Sequence, residues 1–161
     1  MSDINEIKYG FEPVYDRHST VLILGSFPSV KSREIKFYYG NRQNRFWNMM
    51  FSYFGEPYRE ETEKKKEFLL EKGIALWDIV MACRIVGSKD DTLEAVELAD
   101  LTKVFDEAPI RAVLLNGSKA FSLYEKQYGN LPIPHYKMPS TSPANPRFRK
   151  EIWWSTFDEL F

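Results

Sequence analysis

The chemistry this sequence can offer rests on amides, hydroxyls and aromatic rings rather than on metal ligands or an activated nucleophile. The stretch Phe37-Tyr-Tyr-Gly-Asn-Arg-Gln-Asn-Arg-Phe-Trp47 interleaves aromatic rings with the amides of Asn41, Gln43 and Asn44 and the guanidinium groups of Arg42 and Arg45. A ring stacks on any unpaired base while an arginine holds phosphate, so this pattern suits a nucleotide outside a duplex. Asn44 also has the side chain of a helix N-cap for the apolar periodic run that follows it. A second stretch, Gly25-Ser-Phe-Pro-Ser29, supplies a glycine, two hydroxyls and backbone N–H groups. It suits a phosphate cradle or an ordinary strand-to-loop turn. It has neither the Lys-Ser/Thr of a P-loop nor a Gly-x-Gly-x-x-Gly. The third, Pro139-Ser-Thr-Ser-Pro-Ala-Asn145, is a proline-braced, hydroxyl-rich loop just before the basic run Arg147-Phe-Arg-Lys150. Proline lowers the entropy lost when such a loop orders, and small side chains allow close approach to a groove.

Other chemistries are excluded by what the chain lacks. A lone cysteine, Cys83, cannot form an internal disulfide, a four-thiolate zinc site or a cysteine-ligated cluster, and it reads as a small buried hydrophobe. His18 and His135 stand apart, without metal-ligand spacing, so neither a metal nor a cofactor is expected. No Gly-x-Ser-x-Gly surrounds Ser26, which leaves covalent serine catalysis without a motif. With 161 residues, 43% hydrophobic and 16% aromatic, the chain is expected to fold as one domain over residues 1–161. Residues 1–10 lack the basic-then-apolar order of a signal peptide, and no apolar run is long enough to cross a bilayer, so a cytoplasmic location is expected. The net charge of -1 argues against coating nucleic acid by bulk electrostatics. Charge is nonetheless unevenly spread: Lys31, Arg33, Lys36, Arg42 and Arg45 face only Glu34 in their segment, and Lys137, Arg147, Arg149 and Lys150 face no acid in theirs. The basic segments coincide with the stretches that carry the unusual chemistry.

Those stretches must be positioned by regular elements. Val21-Leu-Ile-Leu24, Ile74-Ala-Leu-Trp77 and Ala112-Val-Leu-Leu115 are short continuous apolar runs that predict buried strands, and His135-Tyr-Lys-Met138 is a weaker strand candidate. Between them, helical spacing marks residues 44–54, residues 60–72 with Gly73 as the C-terminal stop, residues 118–128 and residues 147–161. Leu93, Val96, Leu101, Val104 and Phe105 predict one further helix. Alternating strands and helices predict a mostly parallel sheet covered on both faces, and ligands of such sheets bind beyond the carboxyl ends of the strands. Each predicted strand ends in polar or turn-forming groups: Gly25-Ser26, Asp78, Asn116-Gly117 and the segment from Pro139. Asn116 reads as a ligand contact or a turn residue, and Asp78 as a ligand contact or a cap.

Taken together, Val21-Leu-Ile-Leu-Gly-Ser-Phe-Pro-Ser29, Tyr38-Tyr-Gly-Asn-Arg-Gln-Asn-Arg-Phe-Trp47, Gly73-Ile-Ala-Leu-Trp-Asp-Ile-Val80, Leu114-Leu-Asn-Gly117 and Pro139-Ser-Thr-Ser-Pro-Ala-Asn145 resemble, in order, the motifs of the uracil-DNA glycosylase superfamily. The similarity is strongest to its hypoxanthine-DNA (deoxyinosine) glycosylase branch. The resemblance implies a three-layer α/β/α sandwich around a four-stranded, mostly parallel sheet. It also implies DNA carrying a deaminated base as the partner, engaged by a monomer through base flipping and hydrolysis of the glycosidic bond. By that resemblance the water-positioning amide is Asn44, with Asn41 second, and Ser26 joins them because it stands where many relatives carry an Asp or Asn. Gly25, Phe27, Pro28 and Ser29 would lie beside the sugar, Tyr39 under the flipped base, and Asp78 and Asn116 at its hydrogen-bonding edge. Ser140, Thr141, Ser142, Pro143 and Asn145 would press into the minor groove, with Arg147 adding affinity for phosphate. Hypoxanthine is the expected base and uracil a second. Two other readings stay open: a uracil- or mismatch-type glycosylase on the same scaffold, and a noncatalytic nucleic-acid or nucleotide-binding module.

Overall fold

The computed structural model describes residues 6–85 and 94–161. Its centre is a parallel sheet of β2 (Val21–Gly25), β3 (Ile74–Asp78), β6 (Ala112–Asn116) and β7 (His135–Met138), in the order β3-β2-β6-β7. Every pairing in it is parallel, which is stricter than the mixed sheet that the pattern allowed. The residues of β2, β3 and β6 are buried along their whole length, as continuous apolar runs sandwiched between helices must be. Each of these three strands runs one residue past its apolar run. Gly25, Asp78 and Asn116 are therefore held in the sheet's ladder instead of in the turns beyond it.

The helices are α1 (Val30–Ile35), α2 (Phe46–Tyr53), α3 (Thr62–Glu71), α4 (Thr102–Glu107), α5 (Ser118–Tyr128) and α6 (Lys150–Leu160). They flank the sheet in the three-layer arrangement. Aromatic contacts join α2 to α3 and α6: Phe51 lies 4.3 Å from Phe68, Phe46 lies 6.3 Å from Trp153, and Tyr53 lies 5.0 Å from Phe157, centroid to centroid. Helix α5 packs against β6 and β7 and buries Ala120 and Tyr124. Gly73 takes φ +72 just after α3, the left-handed stop its position predicts. The four tryptophans do more than fill space, since a buried indole N–H needs an acceptor. Trp47, Trp77, Trp153 and Trp154 donate to the main-chain carbonyls of Tyr38, Phe11, Pro139 and Met49, and two of those carbonyls lie in segments that border the strand ends.

One expectation fails. The stripe from Leu93 to Phe105 is not a single helix: residues Glu94–Leu98 form strand β5, α4 is a separate short helix, and Leu93 lies outside the described residues. β5 pairs antiparallel with β4 (Val80–Ile85), which pairs antiparallel with β1 (Glu6–Tyr9), to make a second, three-stranded sheet. The edge of β4 supplies hydrogen bonds that a helix at this position would forgo, and tertiary pairing overrides a spacing of three that holds only in pieces. Helix α1 and this second sheet were also absent from the sequence-based picture. Among the described residues no helix is long and apolar enough to cross a membrane.

Candidate active site

Strand order β3-β2-β6-β7 reverses direction between β2 and β6, and a parallel sheet leaves a crevice beyond its strands at such a point. A cleft of about 460 Å³ opens there. Its walls come from all four strand ends: residues 25–29 after β2, Asp78 closing β3, Asn116 closing β6 and residues 140–143 after β7. The loop between α1 and α2 adds Tyr39, Asn41 and Asn44. All three catalytic candidates and all seven substrate-binding candidates therefore share one cleft, along with Ser140, Thr141, Ser142 and Pro143. Asn145 and Arg147 do not: they line an adjoining groove of about 580 Å³, which shares Ser140 and Ser142 with the cleft.

The floor is built on an absence of side chain at Gly25. A Cβ there would stand 2.5 Å from Asp78 Oδ1 and 2.8 Å from the Tyr39 hydroxyl, so only glycine admits both groups. Gly25 and Asp78 are register partners in the parallel ladder, which fixes the carboxyl's height in the sheet. Asp78 is buried, and its Oδ2 and the Tyr39 hydroxyl both lack a hydrogen-bond partner. Burial pushes the Asp78 carboxyl from its ordinary 3.8 up to about 7, against the opposing pull of a backbone hydrogen bond from Gly25. The Tyr39 hydroxyl is held above its ordinary range by burial and by the neighbouring Asp78. Tyr39 also sits at φ +53, an uncommon backbone state for a bulky residue, with its ring stacked 4.3 Å from Phe46.

The amides above the floor are already oriented. Asn44 Oδ1 accepts the Phe46 N–H at 2.9 Å at the entry to α2, and its own N–H donates to the Asn41 carbonyl at 2.8 Å. The N-cap of α2 is Arg45, without a side-chain cap bond, and Asn44 instead makes an Asx turn one residue earlier, a correction to its reading as the cap. A carbonyl oxygen has two lone pairs, so one acceptor site and the NH₂ group remain for the cleft. Asn41 Oδ1 accepts the Gln43 N–H at 2.9 Å. Ser29 is the N-cap of α1 and accepts the Ser32 N–H at 3.2 Å, while the Ser32 hydroxyl takes the Gly40 N–H at 2.9 Å. That chain of hydroxyls ties the first loop to the second. A Ser-x-x-Ser spacing at residues 29 and 32 is the signal from which this helix start could have been read.

The loop after β7 is clamped from two sides. Asn116 Oδ1 accepts the Thr141 N–H at 3.0 Å, and Asn116 Nδ2 donates to the Thr141 hydroxyl at 3.0 Å. Asn116 is thus no turn residue: it ends β6 and holds the next loop over the cleft. Gly117, at φ +101, lets Ser140 approach to 3.2 Å of where a Cβ would stand. Within the loop the Asn145 side chain donates to the Ser140 carbonyl at 2.9 Å and accepts the Arg147 N–H at 3.0 Å. Three further residues line the cleft that sequence reasoning did not single out: Ser32, Tyr38 and, exposed in the first turn of α5, Lys119. Among the described residues no group of three or more His, Cys, Asp or Glu is placed to hold a metal ion.

Fold and cleft together define an α/β protein that takes a hydrogen-bonding ligand at a topological switch point, between oriented amides above and a buried carboxyl below. The chain belongs to the uracil DNA glycosylase superfamily, whose profile matches residues 12–157. In class it is a DNA glycosylase. A protein of Methanosarcina acetivorans named hypoxanthine DNA glycosylase is 36% identical over 156 residues, which is 94% of this chain and 98% of that one. Its namesake from Methanosarcina barkeri is 33% identical over 155 residues, 93% and 98% of the two chains. A solution NMR structure from Methanosarcina acetivorans, provisionally assigned as a uracil DNA glycosylase, superposes with a TM-score of 0.81 at 35% identity, covering 96% of this chain and 98% of that one.

Proposed function

We propose that this protein excises deaminated bases from DNA, hypoxanthine first and uracil second, by hydrolysing the glycosidic bond of a nucleotide flipped into the strand-end cleft. The observation that carries the reading is the meeting of Asn44, Tyr39 and Asp78 in that one cleft, on a chain whose relatives are named for hypoxanthine. Asn44 acts as the water-positioning group. In a dissociative cleavage the sugar becomes oxocarbenium-like before water attacks, so orientation matters more than proton abstraction. The Phe46 N–H pins the Asn44 amide, which leaves its second lone pair for the water. Asn41 and Ser26 stand by in the same cleft.

Asp78 reads the base. When ionised, its carboxylate accepts the N1–H of hypoxanthine or the N3–H of uracil, whereas adenine offers no ring N–H there. Gly25, Phe27, Pro28 and Ser29 face the sugar, and Tyr39 and Asn116 bound the base. The loop of Ser140, Thr141, Ser142, Pro143 and Asn145 enters the groove, and Arg147 adds a salt-sensitive phosphate contact. One chain forms the whole cleft, which supports a single domain acting as a monomer, and the same reading has it working in the cytoplasm.

The test is single-turnover base release from oligonucleotides containing deoxyinosine, deoxyuridine or deoxyxanthosine, for the wild type and Asn44→Ala. The reading expects release of hypoxanthine, weaker release of uracil, and a loss of about a hundredfold or more in the variant. Binding without release from any of the three would leave a noncatalytic module in its place.

A further inference from the structure

Arg45 stands in the motif as one of two guanidinium groups suited to phosphate, but the fold turns it inward. Its N–H donates to the Thr141 carbonyl at 3.0 Å. Its Nη2 donates to the Asn145 carbonyl at 2.8 Å and also to the Ser142 carbonyl. The guanidinium plane lies over the Phe148 ring, 4.6 Å from the centroid. Its Nε is buried and has no hydrogen-bond partner. One residue thus bonds three carbonyls of the loop after β7, all about a hundred positions away in the chain.

The residue next to it is Asn44. Asn44 is fixed by the Asn41 carbonyl on one side and the Phe46 N–H on the other, and Arg45 occupies the single position between Asn44 and the start of α2. Movement of residues 140–145 relative to α2 therefore strains the hydrogen bonds that Arg45 makes to that loop. The opposite side of that loop is tied to β6 by the two Asn116–Thr141 hydrogen bonds. The loop lies between two clamps, one rooted in the sheet and one rooted beside the amide.

We propose that Arg45 is a positioning residue that locks the 140–145 loop to the Asn44 turn, so that seating the loop on DNA and placing the Asn44 amide against the flipped nucleoside are one event. The proposal rests on the catalytic reading of Asn44 given above. It assigns Arg45 chiefly to the rate of base release, because its Nη2 is engaged by the loop carbonyls and its Nε is buried.

The experiment compares wild type, Arg45→Lys, Arg45→Met, Asn44→Ala and the double variant Asn44→Ala/Arg45→Met, on a deoxyinosine duplex. Base release at saturating enzyme is measured alongside DNA affinity at two salt concentrations, and Phe148→Leu serves as a milder variant should Arg45→Met fail to fold. Arg45→Met is expected to slow release about a hundredfold, the penalty of a displacement near 1 Å at a reacting centre. Its affinity should stay within about twofold of wild type and its salt slope should change by well under one, since a lost phosphate contact lowers the slope by about one. Arg45→Lys should recover part of the rate, because an ammonium can donate to the same carbonyls but has no planar guanidinium to lie over the Phe148 ring. Phe148→Leu should slow release in the same direction by less. In the Asn44→Ala background, Arg45→Met should add little. Multiplying losses, or a fall in affinity and salt slope at unchanged rate, would overturn the proposal. A wild-type rate in Asn44→Ala alone would show instead that the catalytic reading had failed and had taken this proposal with it.

Discussion

Asp78→Asn tests the floor of the cleft through stability and specificity at once. The carboxyl is buried beside the Gly25 backbone and a second buried oxygen, the Tyr39 hydroxyl, with its titration raised from 3.8 to about 7. A group that holds its proton more tightly in the native state makes the protein lose stability as pH rises, across the window from its unfolded to its folded value. For Asp78 that window runs from 3.8 to about 7, and the loss over it is about 4 kcal/mol at 1.36 kcal/mol per pH unit. The asparagine keeps the shape and an acceptor for the Gly25 backbone but cannot ionise. Urea denaturation of both proteins at intervals from about pH 4 to about pH 8 should show the variant gaining on the wild type as pH rises, by more than about 1 kcal/mol and up to about 4 kcal/mol. Base release should shift in parallel. An amide turns either its carbonyl or its NH₂ to a ring nitrogen, so the variant should retain hypoxanthine while discriminating less against adenine. In the wild type, discrimination should sharpen as pH rises through about 7, where Asp78 becomes a pure acceptor. Stability curves that stay parallel within about 0.5 kcal/mol, together with unchanged base preference, would refute both the buried ionisation and the reading role.

Three other perturbations probe neighbouring parts of the site. Gly25→Ala places a methyl group 2.5 Å from Asp78 Oδ1 and 2.8 Å from the Tyr39 hydroxyl; it should destabilise the fold by about 1–3 kcal/mol and abolish base release, and a fully active, stable variant would contradict the packing. Asn116→Ala leaves the buried Thr141 N–H without its acceptor, for a loss of about 1–3 kcal/mol in chemical denaturation and a weaker grip on DNA. Lys119 lines the rim of the cleft but is exposed, and the proposed hydrolysis uses water as the nucleophile, so the product should be an abasic site on an intact strand. Borohydride should therefore trap no covalent complex on deoxyinosine DNA, and trapping that disappears in Lys119→Ala would reverse that expectation.

What could be read from the chain before its structure was whatever local chemistry determines. Strands β2, β3 and β6 announce themselves because a strand buried on both faces must be apolar throughout, and the polar residue that ends each run marks the rim of a cleft. That is why Gly25, Asp78 and Asn116 were found together before any coordinates. Side-chain direction is a different matter, since it depends on partners remote in sequence. Asn116 looks like a ligand contact or a turn residue until Thr141 is seen bonded to both ends of its amide. Arg45 looks like a phosphate contact until its Nη2 is seen to donate to the carbonyls of residues 142 and 145. The misread segment from Leu93 to Phe105 has the same cause: Glu94–Leu98 becomes a strand because β4 offers it an edge, and nothing within those five residues encodes that edge. Composition thus locates the reactive groups, and long-range contacts divide them into those that face the substrate and those that hold the others in place. On the proposed reading Asn44 and Asp78 belong to the first set and Arg45 to the second, while Gly25 and Asn116 line the cleft and also hold their neighbours in place. Variants of Asn44 and Asp78 should then alter which base is released or whether any is, and variants of Arg45 should change how fast the same reaction proceeds.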